Sequence, residues 1–98
     1  MTEAVRDNTA EHRFEISGEG EVAYLSYELE GDRLALLHTW VPVSLRHRGV
    51  GGRLVEAAVE SAISGDLSIV PVCSFVRAWL RENPTVASRL RLEPPATP

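Results

Sequence analysis

A chain of 98 residues is the length of one small domain, with a core modest enough for each buried side chain to matter. Its formal charge of −4 and pI near 5.3 argue against a general nucleic-acid binder, which needs surplus cationic groups to neutralise phosphates. One cysteine excludes a disulfide framework or a multi-cysteine metal site, no apolar run approaches the ~20 residues of a membrane span, and the start does not resemble a signal peptide.

A soluble cytoplasmic protein with no metal, nucleic-acid or membrane partner is therefore expected. Met1 to Glu11 lacks periodicity, so residues 1–11 read as a disordered tail ahead of a domain over 12–91. His12 to Ser17 alternates, with Phe14 and Ile16 on one side, as a half-buried strand does. After the turn at Gly18-Glu19-Gly20, Glu21 to Leu29 sets Val22, Tyr24 and Ser26 against Ala23, Leu25, Tyr27 and Leu29, a strand partly covered on both faces. Gly31-Asp32 makes the next hairpin. Arg33 to Pro42 is apolar on both faces, so it is expected to be the central strand, ending at Pro42, which has no N–H to donate.

From Gly49 to Ser64, Val55, Ala58, Val59, Ala62 and Ile63 fall at i, i+3, i+4, i+7 and i+8, one buried face of a helix that Gly65 is placed to close. Leu67 to Val72 fits a buried strand. Ser74 is positioned to cap a second helix with Val76, Trp79 and Leu80 facing inward, ended by Asn83-Pro84, and Thr85 to Leu90 fits one further short turn. Residues 92–98 end in Glu93-Pro94-Pro95-Ala96-Thr97-Pro98, read as a second disordered tail. The order β-β-β-α-β-α, without internal repeat, predicts an α+β fold with a mixed sheet.

The most informative stretch is Arg46-His47-Arg48-Gly49-Val50-Gly51-Gly52-Arg53-Leu54, which joins three arginines and three glycines to a helix start. Glycines let backbone N–H groups converge on an oxygen, the helix start supplies unsatisfied N–H groups and a positive dipole end, and arginine forks suit phosphate. A P-loop would need Lys-Ser or Lys-Thr after the last glycine, where Arg53-Leu54 stands. A dinucleotide fingerprint would need its third glycine placed differently and a βαβ unit opening the chain.

Arg46, Gly49 and Gly51 instead fit (Gln/Arg)-x-x-Gly-x-(Gly/Ala), followed by apolar Leu54. Leu37-His38-Thr39-Trp40-Val41-Pro42 precedes this loop, and Val70-Pro71-Val72-Cys73-Ser74-Phe75-Val76 and Asn83-Pro84 follow it. In that order these segments resemble the small, single-domain branch of the Gcn5-related N-acetyltransferase (GNAT) superfamily, over about Arg13 to Leu90. The resemblance implies a GNAT-like mixed sheet whose two central strands splay to form a slot for coenzyme A. It also implies acetyl-CoA as co-substrate and a small-molecule or protein amine as acceptor.

On that reading Arg46, His47, Arg48, Gly49, Val50, Gly51 and Gly52 hold the pyrophosphate, while His38, Thr39, Trp40 and Val41 line the slot, where a free N–H near Trp40 or Val41 polarises the thioester carbonyl. Arg53, already on the helix, can equally be a solvated charge, and His47 is given no catalytic role. Cys73 and His38 are the catalytic candidates. Cys73 sits before a helix start, where a thiolate is favoured, and is placed to protonate the departing thiolate or to accept the acyl group; a small buried hydrophobe is the plainer alternative. For His38 the plainer alternative is a core histidine bonded to a backbone carbonyl. Trp40 departs from the Glu or Asp usual in this branch, and with it goes a side-chain base. An N-acetyltransferase is the leading function, and a CoA-binding sensor or partner module with little transferase activity is the competitor.

Overall fold

The computed structural model describes residues 4–95. Its elements are β1 (Arg6–Asn8), β2 (Arg13–Gly18), β3 (Glu21–Glu30), β4 (Arg33–Trp40), a 3-10 turn (Val43–Leu45), α1 (Val50–Ser64), β5 (Ser68–Pro71), α2 (Ser74–Glu82) and α3 (Pro84–Ala87). The sheet runs β1-β2-β3-β4-β5. Its first three pairings are antiparallel and β4–β5 is parallel, so the sheet is mixed, as anticipated. β4 has a strand on each side but is fourth of five rather than the middle strand.

Two tight turns fix the meander. Glu19 and Gly20 both take positive φ, the requirement of the type I′ turn that matches strand twist, and Gly31 does so in the next hairpin. Phe14, Ile16, Ala23, Leu25, Tyr27, Leu34 and Leu36 then face one way and pack with Val50, Leu54, Val55, Ala58, Val59 and Ala62 of α1 and with Val76 and Leu80 of α2. Each fully buried Leu, Ile or Val contributes about 1.5–3 kcal/mol. Trp79 lies half-buried at the margin of that cluster.

Helix ends differ from expectation in two places. Gly65 is the C-cap of α1 with φ −90°, and Asp66, not Gly65, takes the left-handed conformation. Cys73, not Ser74, is the N-cap of α2, and no side chain caps that helix. The last short turn is α3, begun by Pro84 at its first position, where a missing N–H costs nothing.

Both expected tails carry structure in their described parts. Arg6–Asn8 pairs with Arg13–Glu15 as β1, held by Arg6 Nη2 and Asn8 Nδ2 donating to Glu15 at 2.6 and 3.1 Å and by the Tyr27 hydroxyl donating to Asp7 at 2.7 Å. At the other end Leu92 bridges to Ile69, the Glu93 N–H donates to the Ile69 carbonyl at 2.9 Å, and the Ser68 hydroxyl donates to the Glu93 carboxylate at 2.6 Å. Leu92 and Glu93 thereby cover part of the free edge of β5, which would otherwise offer unpaired backbone groups. Residues 1–3 and 96–98 of the expected tails lie outside the described residues.

Candidate active site

The site begins at a break in regular pairing. β4 and β5 match from Arg33↔Ser68 to Leu36↔Pro71 and no further, while β4 continues to Trp40 against β3 alone. The Leu36 carbonyl accepts from both the Val72 and Cys73 N–H groups, at 3.1 and 2.9 Å, and there the chain leaves β5 to enter α2. The ladder ends there because β5 ends, leaving the last residues of β4 without a strand on that side.

A bulge within β4 decides what faces the gap. Ser26 pairs with His38 and Tyr27 with Leu36, so Leu37 has no partner on β3. An extra residue reverses the alternation of a strand. Leu34 and Leu36 face the helices, but past the bulge Thr39 does so, opposite fully buried Leu25, while His38 and Trp40 turn to the opposite, open face across from Ser26 and Tyr24. Simple alternation would have grouped His38 with Leu36.

Thr39 meets Cys73 across the gap, its Oγ1 lying 3.3 Å from the Cys73 Sγ. The thiol is buried, with 7% exposed. Burial, the largest influence, pushes its pKa up, but hydrogen bonds from the Thr39 hydroxyl and from backbone N–H groups of Val76, Phe75 and Thr39 outweigh it and draw the thiol below its ordinary value. Cys73 thus sits at the start of a nine-residue helix as a stronger acid than an ordinary thiol. His38 is not brought to it: its ring is exposed and 6.2 Å from that of Tyr24 on the open face. It is neither a core histidine nor a neighbour of the thiol.

Above the gap, the arginine and glycine loop closes a cleft of about 310 Å³ lined by Val41, Leu45, Arg46, His47, Gly49, Val50, Gly51, Gly52 and Phe75. Leu45, 2% exposed, anchors the 3-10 turn that aims the loop. His47 and Gly49 take φ of 64° and 73°, and left-handed residues flanking Arg48 turn successive N–H groups towards one side. α1 starts at Gly49 with no side-chain cap, and its first intrahelical bond within this turn is donated by Arg53 to the Gly49 carbonyl. The N–H groups of the first turn therefore have no intrahelical acceptor.

The arginines divide. Arg46 lines the cleft, donates Nε–H to the Val41 carbonyl at 2.9 Å and lies over the Trp40 ring at 5.5 Å. Arg48 is turned towards Glu19 at 3.5 Å, with both side chains exposed. Phe75, given no role on sequence grounds, lies where a Cβ on Gly51 would come within 2.8 Å of its ring, and a Cβ on Gly52 would meet the Trp79 indole nitrogen at 3.2 Å. These two glycines line the cleft and allow the approach of α1 to α2, so substituting Gly51 would displace Phe75.

The end of the parallel β4–β5 ladder, a helix start without a side-chain cap and Arg46 lining the cleft beside it mark an α+β protein of one class. Comparison with known proteins gives the class its family. Residues 13–89 match the family model for GCN5-related N-acetyl-transferase, and the chain belongs to that family. It is 34% identical over 80 residues to Protein NATD1 of Mus musculus, covering 81% of this chain and 73% of that protein, and equally identical to Protein NATD1 of Homo sapiens, with 81% and 71% covered. An NMR structure of a GCN5-like protein from Staphylococcus aureus superposes with a TM-score of 0.70 at 25% identity, covering 95% of this chain and 90% of that one.

No helix among the described residues is long and apolar enough to cross a membrane.

Proposed function

We propose that the chain binds acetyl-CoA and transfers its acetyl group to an amine. The observation that carries this reading is the cleft at the start of α1, where unbonded first-turn N–H groups, left-handed Gly49 and the Arg46 guanidinium converge beside the end of the β4–β5 ladder. A cleft of this make-up fits a pyrophosphate, because N–H groups and an arginine can share its charge without a metal. Val41 and Phe75 supply the apolar walls by which a pantetheine arm would leave the cleft for the gap.

In the gap, Thr39 and Cys73 are the groups that meet the thioester end. Transfer requires the amine nitrogen to bond to the thioester carbonyl carbon, the C–S bond to break, and the amine proton and the sulfur's charge to be accommodated. A Cys73 thiol can give its proton to the departing sulfur and recover one from solvent. Its lowered pKa makes that transfer easier, and the Thr39 hydroxyl orients the thiol. Trp40 offers no base, so deprotonation of the amine falls to water or to His38 on the open face.

The near-complete burial of Cys73 favours a second reading, a coenzyme A sensor or partner module with little turnover. Incubation with acetyl-CoA and a panel of primary amines and lysine peptides, read by mass spectrometry, separates the two. An acetylated amine is expected. Saturable coenzyme A binding without acetylation of any panel member would establish the sensor reading.

A further inference from the structure

Trp40 lies beside Arg46 at the mouth of the cleft, and the proposed reaction leaves it unused. We infer that Trp40 is a positioning residue that holds Arg46 ready for the ligand's phosphates. The inference rests on the reading of the Arg46 to Gly52 loop as a pyrophosphate cradle.

The argument starts from what an arginine needs in order to be useful there. A guanidinium on a flexible stem loses rotamer freedom when it fixes an anion, and that loss subtracts from affinity unless it has been met beforehand. Arg46 is already held at two points. Its Nε–H is committed to the Val41 carbonyl at 2.9 Å, and its Cζ rests over the Trp40 ring at 5.5 Å, within range of an attraction between cation and ring face. Of the guanidinium's five N–H groups, four remain on the two terminal nitrogens. Arg46 has no carboxylate partner within the described residues, whereas Arg48 is turned to Glu19. A carbonyl and a ring fix the guanidinium without neutralising it, as a carboxylate would.

The bulge at Leu37 makes the clamp available. By restoring Trp40 to the open face opposite Tyr24, it leaves the ring 43% exposed, outside the core and beside the chain that carries Arg46. An acid at the same place would pair with Arg46 and cancel the charge the cradle needs. Tryptophan at this position therefore leaves the charge of Arg46 available to an anion.

The test combines affinity with a probe of Arg46 itself. In the wild type, the Arg46 side-chain δ protons are expected to resonate upfield because they lie near the face of an indole, and the shift should vanish in Trp40→Ala. Calorimetric titration with coenzyme A is expected to show about fivefold weaker binding for Trp40→Ala and Trp40→Leu, near-wild-type binding for Trp40→Phe, and a larger loss for Trp40→Glu. In an Arg46→Ala background, Trp40→Ala should change affinity by less than about twofold, as expected when both act through one contact. Melting temperatures confirm that each variant folds, and Trp40→Leu keeps apolar bulk without a ring.

If the wild type binds coenzyme A and Trp40→Ala binds it equally well, the Trp40 inference alone falls. Equal losses in the presence and absence of Arg46 overturn it too. If the wild type binds neither coenzyme A nor inorganic pyrophosphate, the cradle reading fails and takes this inference with it.

Discussion

Two polar regions of this molecule handle charge in opposite ways. At the β1 edge, buried Glu15 receives hydrogen bonds from Arg6, Arg13 and Asn8, and the Tyr27 hydroxyl is bonded to Asp7. At the cradle, α1 begins without a side-chain cap and Arg46 is held by a carbonyl and a ring rather than by a carboxylate. The first region uses its charges for the fold. In the second, Arg48 faces Glu19 but Arg46 has no carboxylate partner among the described residues, which on the proposed reading leaves its charge for a ligand, and that contrast separates the two regions more clearly than residue type does, since both are rich in arginine.

The difference extends to titration. The Arg6 hydrogen bond, opposed by burial and reinforced by Arg13 and Asn8, holds the Glu15 carboxyl below its ordinary range. A depressed carboxylate pKa contributes stability that is fully present above the ordinary carboxylate range and is lost as pH falls through the folded-state value. Burial first, then the bond to Asp7, pushes Tyr27 up to about 12. That contribution is present below the ordinary tyrosine range and is lost as pH rises towards the shifted value.

The largest expected effect breaks the functional region at its reacting end. Cys73→Ala should lower acetyl transfer by ~10²-fold, the scale of losing a general acid, while coenzyme A affinity stays within a few-fold of wild type. Steady-state assays of Cys73→Ser beside it discriminate the roles: rescue by serine supports proton donation, and failure of both variants, with a trapped acetyl adduct on Cys73, supports covalent transfer. Unchanged turnover in Cys73→Ala would leave the thiol as packing alone.

Next in size, Arg46→Ala removes the cradle's held charge and should cost roughly 1.5–3 kcal/mol of coenzyme A affinity, the range for a hydrogen bond to a charged group. Its melting temperature should barely move. Arg48→Ala is the control: its exposed pair with Glu19 lets it vary with little effect on stability. Equal losses of affinity in the two variants would show that net charge, not placement, governs the cleft.

The smallest effect falls on the structural cluster. Glu15→Ala should lower stability by about 1–2 kcal/mol, because its partners are part-exposed and regain water, and should leave coenzyme A affinity untouched. Urea titrations at a series of pH values check it: the wild type should lose its advantage over Glu15→Ala as the solution becomes more acidic than the ordinary carboxylate range. A difference constant with pH would deny the depressed pKa.

The same contrast explains what could be read from sequence. The meander, α1 and α2 were visible because apolar positions recur at strand and helix periods, and the cradle was visible because three arginines and three glycines adjoin a helix start. β1 was not: Arg6-Asp7-Asn8 has no apolar residue, and its order comes from side-chain bonds to Glu15 and Tyr27, far along the chain. Nor was the bulge at Leu37, since Leu-Leu-His-Thr-Trp alternates equally well with or without an extra residue. That one residue parted His38 from the thiol, set Thr39 beside it and put Trp40 under Arg46. The packing role of Gly51 is not legible in its own segment, because the ring it adjoins lies 24 residues on in the sequence.

The central claim is that the cleft beside the end of the β4–β5 ladder holds the phosphates of coenzyme A. Parallel calorimetric titrations of the wild type with coenzyme A and with pantetheine, which lacks those phosphates, test it most directly. Coenzyme A should bind at least ~30-fold more tightly, equivalent to about 2 kcal/mol. No heat at millimolar coenzyme A, or equal affinity for the two ligands, would contradict it.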